Sequence, residues 1–217
     1  MNLKQATAMA ALAVTMTTAC TPGADEPRQL QESEYKSNPA PQQRYELMME
    51  IKNAPGPFGF IGASAYYIAR NCHYYIPTLV PHDVFNWPRA TKTIEMVQVS
   101  DTQWKGIFHT DGMLDQDDGS GKRTCHWEMD DTSLAVYLTA SGAREDTLFQ
   151  ASLSEKDLHA EKSVKFYFNR HWYPGNPNDP TASGDVYSGD TDRSRLGPIL
   201  TDADLFTITL SVRKLAS

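Results

Sequence analysis

The side chains able to do chemistry in this sequence are its three cysteines, six histidines and two runs of aspartates. Two cysteines sit in identical pairs, Cys72-His73 and Cys125-His126. Soft sulfur and imidazole ligands in that arrangement suit zinc, but adjacent residues on a strand point to opposite faces, so a pair cannot readily reach one ion. A disulfide between Cys72 and Cys125 is the favoured reading, and it implies an oxidising compartment. The histidines at 73, 82, 109, 126, 159 and 171 have carboxylates such as Asp83, Asp111 and Glu128 nearby in sequence. A Ser/His/Asp site can be assembled from them on paper, since such sites are defined by geometry. However, no G-x-S-x-G elbow, HExxH or P-loop is present, and Gly56, Gly59 and Gly62 follow a proline-rich turn instead of opening a helix. We therefore expect no catalytic residue.

The first aspartate run is Asp111, Asp115, Asp117 and Asp118. A calcium loop of the EF-hand type needs Gly at its sixth position and Glu at its twelfth. Counting from Asp115 places Ser120 sixth and His126 twelfth, so the match fails and no metal or other cofactor is expected. The run reads as a solvated hairpin turn or as a surface for a basic partner. The second run, Asp179, Asp185, Asp190 and Asp192, carries the same two readings. By composition and expected exposure, the contact residues would be Asp115, Asp117, Asp118, Asp185, Tyr187, Asp190, Asp192 and Arg193.

The N-terminus supplies the compartment. Met1–Ala19 holds one cation, Lys4, then an apolar run from Ala8 to Met16, then small residues before Cys20. This has the form of a cleavable export signal and is too short to span a bilayer. Ala19-Cys20 resembles a bacterial lipobox, although Thr17 stands where an aliphatic residue is usual; the alternative is an ordinary secretory signal cut nearby. Under the lipobox reading Cys20 is acylated, which holds the domain to a membrane, and Thr21 after it implies release to the outer membrane. Losing Met1–Ala19 leaves 19 basic against 27 acidic residues, a net −8. Such a charge disfavours nucleic acid and favours a basic partner.

From Thr21 to Gln43 the chain is rich in Pro, Gln, Glu and Ser and reads as a flexible tether. The remaining roughly 170 residues, 44–217, suffice for one domain with a sizeable core. Its hydrophobic pattern is period two. Leu134, Val136 and Leu138 alternate with other residues, as do Val164, Phe166 and Phe168, and Phe206, Ile208, Leu210 and Val212. Weaker signals lie at 45–52, 64–70, 93–100, 103–110, 124–128 and 146–153. The pattern predicts a mainly β fold, an antiparallel β-sandwich of eight or nine strands with long loops. At most one or two short helices fit, one of them near Ser154–Ala160. Trp127 should share a face with Cys125 and pack near the disulfide. Residues 174–198, with four prolines and four glycines, read as a long loop, either a recognition arm or a mobile insertion.

The signal, the tether, the β-domain, the segment Gly112-Met113-Leu114-Asp115-Gln116-Asp117 leading to Cys125-His126-Trp127-Glu128, and the closing strand Asp204–Leu210 together resemble periplasmic lipoprotein immunity proteins. These accompany antibacterial effectors of type VI or type IV secretion systems. The resemblance implies an inhibitor whose partner is a secreted toxin, a phospholipase or cell-wall hydrolase, met in the periplasm. The alternatives are an accessory envelope lipoprotein or a periplasmic hydrolase.

Overall fold

The computed structural model describes residues 32–76, 84–140, 147–174, 184–197 and 199–216. The first sheet contains β1 (Arg44–Lys52), β6 (Val97–Ser100), β7 (Gln103–His109), β12 (Ser163–Asn169) and β14 (Leu205–Lys214), in the order β12-β14-β1-β7-β6. All its pairings are antiparallel. The second contains β2 (Phe60–Ile68), β5 (Arg89–Ile94), β10 (Glu128–Tyr137), β11 (Leu148–Ser154) and β13 (Val186–Ser188), in the order β13-β11-β10-β2-β5. Here β13 joins β11 in parallel, and the other pairs are antiparallel. Among the described residues there are also two short ribbons: β3 (Tyr74–Ile76) with β4 (Val84–Asn86), and β8 (Gln116–Asp117) with β9 (Thr124–Cys125).

The alternation in sequence becomes one shared core. From the first sheet Leu47, Met49, Ile51, Phe206, Ile208 and Leu210 point inward; Ala63, Ala65, Leu134, Val136, Phe149 and Leu153 meet them from the second. The layers are thus a β-sandwich. The one α-helix among the described residues, α1 (Glu155–His159), starts at the expected place. Ser154 caps it and Asp157 returns the bond in a capping box, while Leu158 enters the core.

Several boundaries differ from the sequence reading. Fourteen strands occur among the described residues where eight or nine were expected, because strands of two or three residues are too short to display a period. The single stretch expected at 93–100 is two strands, β5 and β6. The expected leader, Cys20 and the tether as far as Gln31 lie outside the described residues, as do 175–183 and Pro198 of the long loop.

The tether expectation is narrowed from the other side, since residues 34–43 are laid along the domain. Lys36 N–H donates to Gln116 (2.7 Å), Leu114 N–H to Lys36 O (2.9 Å) and Asn38 N–H to Gly112 O (2.9 Å). The Asp111 carboxylate accepts from the N–H groups of Gln42 (2.7 Å) and Gln43 (3.0 Å). The Tyr35 ring meets Trp127 edge-on at 4.8 Å. A polar segment is thus ordered by backbone and amide pairing, which composition does not register. In the long loop, likewise, the part from 184 onward supplies the edge strand β13 and a 3-10 turn, Arg193–Leu196.

Candidate functional site

The residues expected to contact a partner fall into two groups at opposite ends of the sandwich. Asp115 bonds to Trp127 N–H and His126, immediately before β10 begins at Glu128. Strand β13 lies beside Leu148–Gln150, which pair with the other end of β10, Ala135–Tyr137. Nine residue steps along a strand are about 30 Å. The two acidic segments therefore do not form one patch; they mark a hairpin pole and a loop pole.

At the hairpin pole the carboxylates build the turn. Asp117 accepts from the N–H groups of Gly119 (2.7 Å) and Gly121 (2.9 Å). Both glycines have positive φ, 89° and 69°, as this tight turn requires. Asp118 is only 7% exposed and accepts from Ser120 and from Arg123 Nε at 2.8 Å. Asp115 accepts from Trp127 N–H (2.9 Å) and faces His126 Nδ1 at 2.6 Å. Behind the hairpin the Cys72 and Cys125 sulfurs are bonded, 2.03 Å apart, so neither is available to a metal. Trp127 packs against Ala69, Cys72 and Cys125, as its spacing predicts.

At the loop pole the second set clasps the two sheets together. Asp190 exchanges backbone hydrogen bonds with Tyr167 of β12 (2.8 and 3.1 Å), and Gly189 N–H reaches Gln150 O of β11 (3.0 Å). Tyr187 donates to Asp185 (3.0 Å) and stacks on Trp172, 4.4 Å between centroids and 8° from parallel. Burial first, then the Asp185 hydrogen bond and charge, push its phenol up to about 12. Asp192 caps the 3-10 turn by accepting from Ser194, and Arg193 donates to Asp202 (3.1 Å) and to Leu200 O. Asp179 lies outside the described residues; each of the other acidic residues singled out by composition has an intrachain role, because Asp is also the residue that closes turns and caps.

Three histidines face carboxylates: His126 with Asp115, His159 with Glu155 (3.6 Å) and His171 with Asp204 (3.9 Å). Among the described residues no hydroxyl is hydrogen-bonded to these rings, and no group of three metal-ligating side chains occurs. A small cleft of about 160 Å³ opens between β5 and β7, lined by Tyr67, Lys92, His109 and Gly112 among others. It is smaller than the usual site for a drug-sized ligand. Tyr67 donates to His109 O at its floor, and burial followed by the Asp111 charge pushes that phenol up to about 12.

Gly112 is required at this floor, since a Cβ there would overlap the Tyr67 phenol oxygen, and Tyr67 is itself buried. Gly112→Ala is expected to cost about 1–3 kcal/mol. A chemical denaturation midpoint unchanged from the parent would contradict this crowding.

The carboxylates also set the acid limit. For Asp115 burial acts upward, but the His126 and Trp127 hydrogen bonds outweigh it and hold the group below the usual range. Asp118 behaves alike, with Ser120 and Arg123 prevailing over burial. The Ser154 hydroxyl lowers Asp157 and the Thr201 hydroxyl lowers Asp204. A lowered group contributes stability that is present above its unfolded pKa, about 4, and lost as pH falls through the folded value. Asp131 opposes them: burial and then Asp130 raise it, so its protonation relieves the fold. With six lowered carboxylates, Glu50 and Asp192 included, against one raised, thermal melts from pH 7 to pH 2 should show the melting temperature falling below about pH 4. A flat profile would sink this account.

The sequence reading missed the outer face of the second sheet. It was legible only in part: the alternation names the outward residues of each strand, but their alignment across strands depends on register. Phe60, Tyr137, Leu148 and Val186 come into one row there. Phe60 and Val186 are 43% and 58% exposed.

No protein-family model matches this chain, no curated protein matches it, and no solved structure matches it.

Proposed function

We propose that this protein is a lipid-anchored immunity protein that binds and blocks a secreted antibacterial effector, a phospholipase or cell-wall hydrolase, in the periplasm. The observation that carries the reading is the N-terminal sequence, an export signal ending at Cys20 ahead of an acidic domain. Acidity supports fast association with a basic effector surface. The packing of residues 34–43 along the hairpin pole adds a direction. The chain leading back to Cys20 departs from that pole, and the twelve steps from Cys20 to Glu32 reach at most about 40 Å. The loop pole, with Asp185, Tyr187, Asp190, Asp192 and Arg193, then faces away from the anchoring membrane and is the better placed of the two for an incoming effector.

The test is competition between sister cells. A strain lacking this protein is expected to be killed on contact with effector-bearing kin and to be rescued by the intact gene; survival without it ends the reading. A second reading, an accessory lipoprotein binding another envelope component, is favoured by the partly exposed apolar row of Val186, Leu148, Tyr137 and Phe60 on the second sheet. Recovery of an assembly subunit instead of a toxin in a membrane pull-down would decide for it.

A further inference from the structure

On the edge strand β5 the side chains of Ala90, Lys92 and Ile94 take the inward positions, and Ala90 and Ile94 are buried. Lys92 is aligned with Ala65 of β2, itself buried, so its stem enters a row whose other members are apolar. Among the described residues it is the one lysine that is not exposed. Its ammonium donates to Ser37 Oγ and, unlike those of Lys52 and Lys162, has no carboxylate in contact among the described residues. An ammonium carries three donors, so two remain for an occupant of the cleft that Lys92 lines with Tyr67 and Phe108. The facing wall of that cleft is a strand edge. In line with β7 the even residues bond to β1: Thr110 N–H reaches Gln43 O (3.0 Å), and Ile51 N–H reaches Thr102 O (2.9 Å). The odd residues therefore turn their backbone groups the other way. There β6 takes up Gln103 and Lys105, and its pairing ends at Val97. Ile107 and His109 lie past it without a strand partner on that side, and both line the cleft.

We propose that this cleft binds a small carboxylate, with Lys92 supplying the charge and the free edge of β7 the N–H donors. Hydrogen bonds from an ammonium to a carboxylate are among the strong ones, and a half-buried cation is screened less than a surface lysine. The volume, about 160 Å³, has room for about five waters, which suits an acid of a few carbons. Asp111 stands beside the cleft, near enough for its charge to act on the Tyr67 phenol. It opposes a second negative charge on the ligand, so a monoanion is preferred to a dianion. The carboxylate belongs to a free acid or to the end of a peptide chain. A lysine pointing inward on an edge strand can also serve only to guard that edge against pairing with another chain, a role that needs no ligand. This inference stands independently of the immunity reading.

The test is a titration of the isotope-labelled Cys20→Ser chain, which carries no acyl group, with sodium propionate at constant ionic strength. The amide signals of Ile107 and His109 are followed by nuclear magnetic resonance. Saturable shifts in the millimolar range are expected, and propionamide, of the same shape without the charge, should leave these signals in place. Lys92→Gln should weaken propionate binding by roughly tenfold or more, with an unchanged far-ultraviolet spectrum and melting temperature. Lys105→Gln, on the outer face of the first sheet, should bind as the parent does. N-Acetylalanine separates the two sources: binding tighter than that of propionate assigns the carboxylate to a peptide end, and weaker binding assigns it to a free acid. Shifts that stay linear in propionate, that propionamide reproduces, or that survive in Lys92→Gln overturn the inference and leave Lys92 as a guard of the edge.

Discussion

Phe149→Ala is expected to destabilise the domain by about 3–5 kcal/mol, the usual cost of removing a fully buried phenylalanine. Phe149 has no exposed surface and sits where the two sheets and the loop-pole clasp converge. Its ring meets Phe206 at 5.1 Å, Phe168 at 5.6 Å and Phe58 at 5.9 Å, and lies stacked on Tyr187 at 5.5 Å. Three of these partners come from β12, β14 and β13, elements distant in sequence, so truncation opens a cavity that no single strand can close. Chemical denaturation measures the loss. Hydrogen exchange supplies a second reading: the amides of Leu148, Gly189 and Asp190, which pair the clasp to the sheets, should exchange faster than those of β1 and β7. A loss below about 1 kcal/mol would mean that the ring is not a core element.

The second large effect is expected from the disulfide. Cys72 and Cys125 are 53 residues apart, and tying a loop of that length removes unfolded-chain entropy worth about 4 kcal/mol. For a domain of this size the Cys72→Ser, Cys125→Ser double variant should melt roughly 10 °C lower. The bond joins the 3-10 turn Arg70–Cys72 to β9, at a place where the local cluster is only Ala69 and the two cysteines with Trp127 against them. So little apolar surface cannot hold these segments unaided. Reducing the intact protein should reproduce the double variant's melting temperature; a reduced protein as stable as the oxidised one would rule out the contribution.

Much of the architecture is legible in the order of residues. Inward and outward positions of β1, β12 and β14 follow from strict alternation, which fixes the face each residue takes but not which residues pair across strands. Ser154 and Asp157 announce α1 through their own hydrogen bonding, a local chemistry that needs no distant partner. The Cys72–Cys125 pair follows from the expectation of an oxidising compartment and from the face rule for adjacent ligands.

The candidate site is less legible. Aspartates with the composition of a recognition surface serve as turn and cap acceptors, as with Asp117, Asp118 and Asp192, because the same carboxylate suits either purpose and only its neighbours decide. That Leu114 N–H pairs with Lys36 O and Asn38 N–H with Gly112 O depends on backbone groups identical in every residue.

Sequence alone determined which side chains the alternating strands β12 and β14 bury and where α1 starts, since those rest on spacing within a few residues. Only tertiary structure decided that the two acidic segments lie at opposite poles, and that Phe60, Tyr137, Leu148 and Val186 share one row. Those are facts of strand order and register, set by packing between segments far apart in the chain, and no local pattern encodes them.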